Sequence, residues 1–165
     1  MEFTTSSCIF GHVCIVTSDN QLCGVDIANS PEEAILMAAT RFGKINTLKN
    51  FVPFGNTIHQ QALETINTGV YNKIPINIIN PSYIQRKVWK ELLLTDPGTV
   101  LSYKDLAIKI EEPEAFRSVA NACGANPIAI IIPCHRVISS DAKLGGYRWG
   151  IDIKKKLLER EGANY

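Results

Sequence analysis

The spacing of apolar residues changes character partway along the chain. Over the first thirty residues apolar and polar positions alternate as in strands, with Cys14-Ile15-Val16 and Leu22-Cys23-Gly24-Val25 separated by the turn-forming Ser18-Asp19-Asn20. Ser30-Pro31-Glu32-Glu33 then supplies a cap, a proline at the first helical position and a capping-box glutamate, which predicts a helix carried by Ala34 to Phe42 and ended by Gly43. A second helix is predicted over Thr57 to Asn67, closed by Gly69. Ile74 to Pro81 reads as extended and proline-punctuated, like a linker between two lobes. Beyond it the pattern turns helical. Ile84, Val88, Trp89, Leu92 and Leu93 recur at helical spacing, so about Tyr83 to Leu94 forms an amphipathic helix broken by Pro97-Gly98.

Ser102-Tyr103-Lys104-Asp105 is a further capping box, opening a short helix through Lys109. Glu112-Pro113-Glu114 opens another, predicted to run to Cys123 and stop at Gly124. Two short helices joined by a tight turn fit either a helix-turn-helix or an ordinary helical hairpin, and the pattern alone does not choose. Residues 128–132 read as a buried strand leading into Pro133-Cys134-His135-Arg136-Val137. A glycine-rich turn at Gly145-Gly146 and a last helix from about Asp152 to Arg160 complete the chain. The expected class is α+β (or α/β), with a small sheet and helices over residues 1–80 and a mostly helical domain over 81–165.

Composition narrows the function classes. At 165 residues the chain can bury a real core, as one domain or two small ones. Residues 1–80 carry four Lys/Arg against six Asp/Glu, whereas 81–165 carry thirteen against ten. A mildly cationic second half suits a polyanion, but clustering rather than net charge decides nucleic-acid affinity. Five cysteines at 8, 14, 23, 123 and 134 form no tight framework, which predicts reduced thiols in a reducing compartment. Cys8, His12, Cys14 and Cys23 alternate with apolar neighbours, which points to strand packing, and no metal site is expected. No signal-like or membrane-length apolar run occurs, so a soluble intracellular protein with no membrane partner is expected.

The chemistry concentrates at Cys134. A thiol, an imidazole and a guanidinium in consecutive positions after an apolar run suggest a reactive site, because thiols react as thiolates and nearby positive charge raises that fraction. A buried structural cysteine is the competing reading.

In Ser102-Tyr103, Phe116-Arg117-Ser118-Val119, Asn126-Pro127, Pro133-Cys134-His135-Arg136-Val137, Gly146-Tyr147-Arg148-Trp149-Gly150 and Leu157-Leu158-Glu159-Arg160-Glu161-Gly162, the chain resembles the alkylguanine-DNA alkyltransferases, also called methylated-DNA–protein-cysteine methyltransferases. The resemblance covers about residues 81–162; the first half resembles the family only in element order. It implies a ribonuclease-H-like first lobe, then a lobe with a helix-turn-helix and a strand bearing the reactive cysteine. It also implies DNA repair: O6-alkylguanine, and O4-alkylthymine, flipped from the duplex and its alkyl group moved irreversibly to Cys134 in a single turnover. No cofactor is implied, and the partner is double-stranded DNA containing alkylated guanine. A monomer acting in the cytoplasm, or in a eukaryotic nucleus, is expected.

The implied catalytic set is Cys134 as nucleophile, His135 acting through a bridging water, Glu161 behind the imidazole, Asn126 bracing the turn, and Tyr103 assisting the leaving base. DNA contacts are implied at Arg117, which fills the gap left by the flipped base, and at Tyr103, Ser118, Ala122 and Ser140. Ala120, Ala122 and Gly124 would let the helix approach the minor groove, and Val137, Tyr147 and Arg148 would line the base pocket. Where the family usually has Gly-Thr-x-Phe-Gln, this chain has Pro81-Ser82-Tyr83-Ile84-Gln85, which leaves the local contact open. Regulatory members with an extra zinc-bearing domain are longer, so a transcription-factor role is not expected. A lesion binder lacking the acceptor cysteine and a Cys-His-Glu thiol hydrolase are the alternatives.

Overall fold

The computed structural model describes residues 1–42, 50–53, 56–141 and 143–165. Its chain divides into two units, Met1–Ile79 with Pro127–Ile131, and Asn80–Asn126 with Ile132–Tyr165. A cut at 80/81 therefore misses one segment, since 127–131 belongs with the first unit.

In the first unit β1 (Glu2–Cys8), β2 (Gly11–Ser18) and β3 (Gln21–Ala28) form an antiparallel meander. The β2–β3 turn uses Asp19 and Asn20 at φ 51° and 56°, the paired left-handed conformation that matches the twist of a two-residue hairpin. β4 (Asn50–Phe51) adds parallel to β1, giving the order β3-β2-β1-β4. Between β3 and β4 lies α1 (Pro31–Arg41), started as predicted by Ser30, whose side chain accepts from Glu33 N. The predicted stop at Gly43 lies outside the described residues. α2 (Thr57–Thr68) is capped by Asn56 and closed by Gly69 at φ 77°. Cys14 and Cys23 pack with Val16, Ala34, Ala38 and Ala39 in the core, so strand packing accounts for them.

The outer edge of β3 is covered rather than left open. Leu22 N donates to Pro75 O and Asn77 N to Leu22 O, so the first part of the expected linker is pinned to the sheet. Val25 makes the same pair of bonds with Pro127 O and Ala129 N.

The second unit is helical. α3 (Tyr83–Leu93) starts in a reciprocal capping box between Ser82 and Gln85, which gives the residue kept from the family segment a local role. Trp89 Nε1 donates to Ala122 O at 2.9 Å, tying α3 to the helix numbered α5 below. β5 (Leu101–Ser102) pairs parallel with β6 (Val137–Ile138). α4 (Tyr103–Lys109) has the predicted Ser102/Asp105 capping box. A turn with Glu111 at φ 61° and a short 3₁₀ segment, Pro113–Ala115, lead into α5 (Phe116–Gly124). α6 (Ile151–Arg160) closes the unit.

One expectation fails. Cys134 lies on a 3₁₀ turn, Cys134–Arg136, and not on a strand. An apolar run signals burial, not extension. Only Ile128 bridges to the sheet, after which Ile131 N bonds to Ala129 O and Cys134 N to Ile132 O. These short-range bonds fold the segment on itself, with Ile130 at φ 66°, a strained conformation for a β-branched residue.

Candidate active site

The second unit holds a cavity of about 370 Å³ lined by Tyr103, Ala120, Cys123, Gly124, Cys134, Gly146, Tyr147 and Arg148. Cys134 is 6% exposed. Burial pushes its thiol up to about 11, opposed by a hydrogen bond from Asn126 and by the charge of Lys154. The resting sulfur is therefore a protonated thiol at neutral pH. Asn126 holds it directly: Nδ2 donates to Cys134 Sγ at 3.1 Å and to Ile132 O at 2.7 Å. One amide thus fixes the turn before the cysteine and contacts the sulfur itself.

His135 is fully buried. Successive residues of a 3₁₀ turn point about 120° apart, so the imidazole is directed away from its neighbour's sulfur. Its Nε2 lies 3.0 Å from Glu161 Oε1. An ionised carboxylate only accepts, so Nε2 carries the proton and Nδ1 carries the lone pair. Nδ1 is buried and has no hydrogen-bond partner among the described residues. Burial lowers the imidazole pKa, partly offset by Glu161, and keeps the ring neutral.

Glu161, at the end of α6, is held from several sides. Arg136 Nε donates to Oε2 at 2.9 Å and Nη2 to Oε1 at 2.7 Å, while Gly98 N donates to Oε2 at 3.2 Å. Burial pushes the carboxyl up, but the bonds from His135 and Arg136 overcome it and hold Glu161 far below the usual carboxylate range. Gly98 sits at φ 81°, and a Cβ there would come within 2.8 Å of Glu161 O, so this close approach requires glycine.

Arg136 was expected to bias the thiol. Instead it clasps Glu161 and donates to Thr95 O. The cation that favours the thiolate is Lys154, fully buried on α6, with Nζ bonded to Val137 O at 2.6 Å and to Leu144 O. Sequence reasoning passed over it. The available signal was its place three and four residues before Leu157 and Leu158, on the buried stripe of α6.

Of the other expected site residues, Tyr103, Tyr147 and Arg148 line the cavity. Burial raises the Tyr103 phenol, with the sulfurs of Cys123 and Cys134 adding to the effect, so it remains a neutral donor. The ring of Tyr147 meets that of His135 edge-on at 6.5 Å. Arg117 and Ser118 are exposed on α5, and Ser140 is exposed in the loop after β6. Two expectations are corrected. Ala122 faces inward, 3% exposed beside the indole of Trp89, because its helical position falls on the buried stripe of Val119 and Cys123. Val137 is fully buried where β6 pairs with Leu101 and is not among the residues lining the cavity. Cys123 does line it, unanticipated, with a thiol that burial raises further than that of Cys134.

Among the described residues no three metal-ligating side chains converge, and no helix is long and apolar enough to cross a membrane.

The profile of the family described as 6-O-methylguanine DNA methyltransferase, DNA binding domain, matches residues 83–163. The chain is 30% identical over 162 residues to the methylated-DNA–protein-cysteine methyltransferase of Debaryomyces hansenii, covering 89% of this chain and 83% of that protein. It is 30% identical to the bifunctional transcriptional activator/DNA repair enzyme Ada of Escherichia coli, covering 99% of this chain but 46% of that protein. It thus spans about half the length of several curated relatives it matches. A crystal structure of Mycobacterium tuberculosis OGT in complex with DNA superposes with a TM-score of 0.80 at 29% identity, covering 98% of this chain and 92% of that one. The chain belongs to the methylated-DNA–protein-cysteine methyltransferase family.

Proposed function

We propose that the protein repairs duplex DNA by moving the alkyl group of an O6-alkylguanine, or of an O4-alkylthymine, to Cys134. The observation that carries this reading is a buried sulfur opening on a cavity, contacted by an amide donor, next in sequence to an imidazole whose Nδ1 lone pair has no partner among the described residues. A water between Sγ and Nδ1 passes the thiol proton to His135. Glu161, kept ionised by Arg136 and Gly98, stabilises the imidazolium that forms. Sγ attacks the alkyl carbon, the carbon–oxygen bond breaks, and its electron pair remains on the guanine oxygen. The purine ring then takes up the proton, assisted by a hydrogen bond from the Tyr103 phenol. The carbon–sulfur bond of the thioether does not break again, because nothing among the described residues of the site activates the Cys134 thiolate as a leaving group, so each molecule acts once and needs no cofactor.

A resting thiol near 11 suits this sequence of events, since a sulfur protonated until the base arrives does not react with solvent-borne electrophiles. Arg117 enters the stack in place of the extruded base, with Ser118 and Ser140 on the phosphate backbone. Tyr147 and Arg148 hold the extruded base within the cavity. The protein acts as a monomer on genomic DNA, in the cytoplasm or nucleus.

Whole-protein mass spectrometry after incubation with a duplex bearing O6-methylguanine tests the reading. The expected result is a gain of one methyl group per protein, saturating with no further turnover. Duplex binding without mass gain would make the protein a lesion binder. Repeated turnover of an ester or amide would make it a thiol hydrolase.

A further inference from the structure

We infer that Phe116, the first residue of α5, is a second base-stacking residue, acting beside Arg117 at the mouth of the cavity; the inference rests on the alkyl-transfer reading above. Phe116 is 37% exposed, whereas the residues that anchor α5 to the rest of the unit are Val119, Ala122 and Cys123. Helical spacing places Phe116 in line with Ala120, Cys123 and Gly124, four, seven and eight residues on, and all three line the cavity. Side chains on a helix lean toward its N-terminus. The phenyl ring is therefore the first large apolar group met along that line, one turn beyond the lining at Ala120.

The Arg117 guanidinium carbon lies 5.9 Å from the centroid of the Phe116 ring. Such a cation–π contact limits the wandering of an exposed arginine, which otherwise loses rotamer freedom on entering the base stack. Among the described residues Arg117 makes no ion pair, so the ring is what pre-orders it. A nucleobase bordering the gap left by extrusion exposes one apolar face. Phe116 covers that face while Arg117 fills the gap. Isolated exposed apolar side chains are ordinary, and Leu94 and Ile108 of this unit are examples. Phe116 is distinguished by its alignment with the cavity and its contact with Arg117.

The test compares Phe116→Ala and Phe116→Trp with the unaltered protein, using methyl transfer from duplex DNA, methyl transfer from free O6-methylguanine base, and tryptophan fluorescence. Loss of one base–aromatic stack should slow transfer from duplex roughly ten-fold in Phe116→Ala. Transfer from the free base should be unchanged, and Phe116→Trp should restore the duplex rate. Unmodified duplex should quench the fluorescence of Phe116→Trp beyond any change from Trp89 and Trp149 in the parent. An unaltered duplex rate in Phe116→Ala, an equal loss on both substrates, or no added quenching would each overturn the inference. Should the parent transfer nothing from either substrate, the alkyl-transfer reading falls, and the quenching result still decides whether Phe116 stacks on DNA.

Discussion

Each unit buries one histidine and at least one cysteine, yet the two are built to opposite ends. In the first, His59 accepts from Asn56 N through Nδ1 at 2.8 Å and meets Thr17 Oγ1 through Nε2 at 3.3 Å. Both ring nitrogens are used, completing the capping box of α2. In the second, His135 uses Nε2 on Glu161 and leaves Nδ1 buried without a partner among the described residues. The cysteines divide similarly. Cys14 sits in the sheet core with its thiol pushed up to about 12 by burial and by Asp26, whereas Cys134 opens on a cavity with an amide donor on its sulfur. Burial alone therefore marks nothing, and neither does one unsatisfied atom, since Thr65 Oγ1 of the first unit is also buried without a hydrogen-bond partner among the described residues. Chemistry is marked where an unpartnered ring nitrogen, a sulfur with an amide donor and a cavity occur together.

The largest expected effect that sharpens the contrast is at the sulfurs. Cys134→Ser should abolish transfer while duplex affinity, read by fluorescence anisotropy, is retained. Cys14→Ser should leave the transfer rate of folded protein unchanged and cost about 1–3 kcal/mol in denaturant unfolding, the penalty of a buried hydroxyl short of partners. Next comes Glu161→Gln, which leaves the imidazole without an anion and Arg136 without its counter-charge. Stopped-flow rates should fall by roughly 10²–10⁴, and stability by about 3–5 kcal/mol. Asn126→Leu removes the donor to the sulfur and should slow transfer roughly 10–100-fold, the worth of a hydrogen bond to a charged group. His59→Leu should cost only about 1 kcal/mol, the worth of a helix cap, with no change in transfer.

The pH dependence of stability follows from the same groups. Both histidines have lowered pKa values in the folded protein, chiefly through burial, so the unfolded chain takes up protons first and stability falls as pH drops below 6.5. His59→Leu should remove part of this slope. The carboxyl of Glu161 is depressed, so its contribution, full above 4.5, is lost only in stronger acid. Cys134 works the other way: its raised pKa means stability is lost as pH climbs from 9.0 to about 11. Thermal melts across pH check each sign.

Local signals carried most of the fold. Ser30, Ser82 and Ser102 cap helices whose starts are readable from the next few residues, because capping is short-range. The segment 128–132 was misread because a buried apolar run looks the same whether it extends or turns. At the site, the Cys134-His135-Arg136 run pointed to a reactive thiol, the family resemblance alone implied Glu161 behind the imidazole, and the fold brings His135 and Glu161 into contact. The tasks of Arg136 and Lys154 were not legible, since they depend on which distant carbonyls and carboxylates the fold presents, Thr95 O and Glu161 to one, Val137 O and Leu144 O to the other. The same holds for Ala122 and Val137, whose residue types suit a pocket wall and a core equally well.

Two thiols line the cavity, and only Cys134 has the amide donor and the lower of the two raised pKa values. Peptide mapping by mass spectrometry after reaction with methylated duplex separates them. The account predicts the methyl group on Cys134 alone, with Cys123 and the other three cysteines unmodified. A methyl group on Cys123, or one shared between the two, would contradict it.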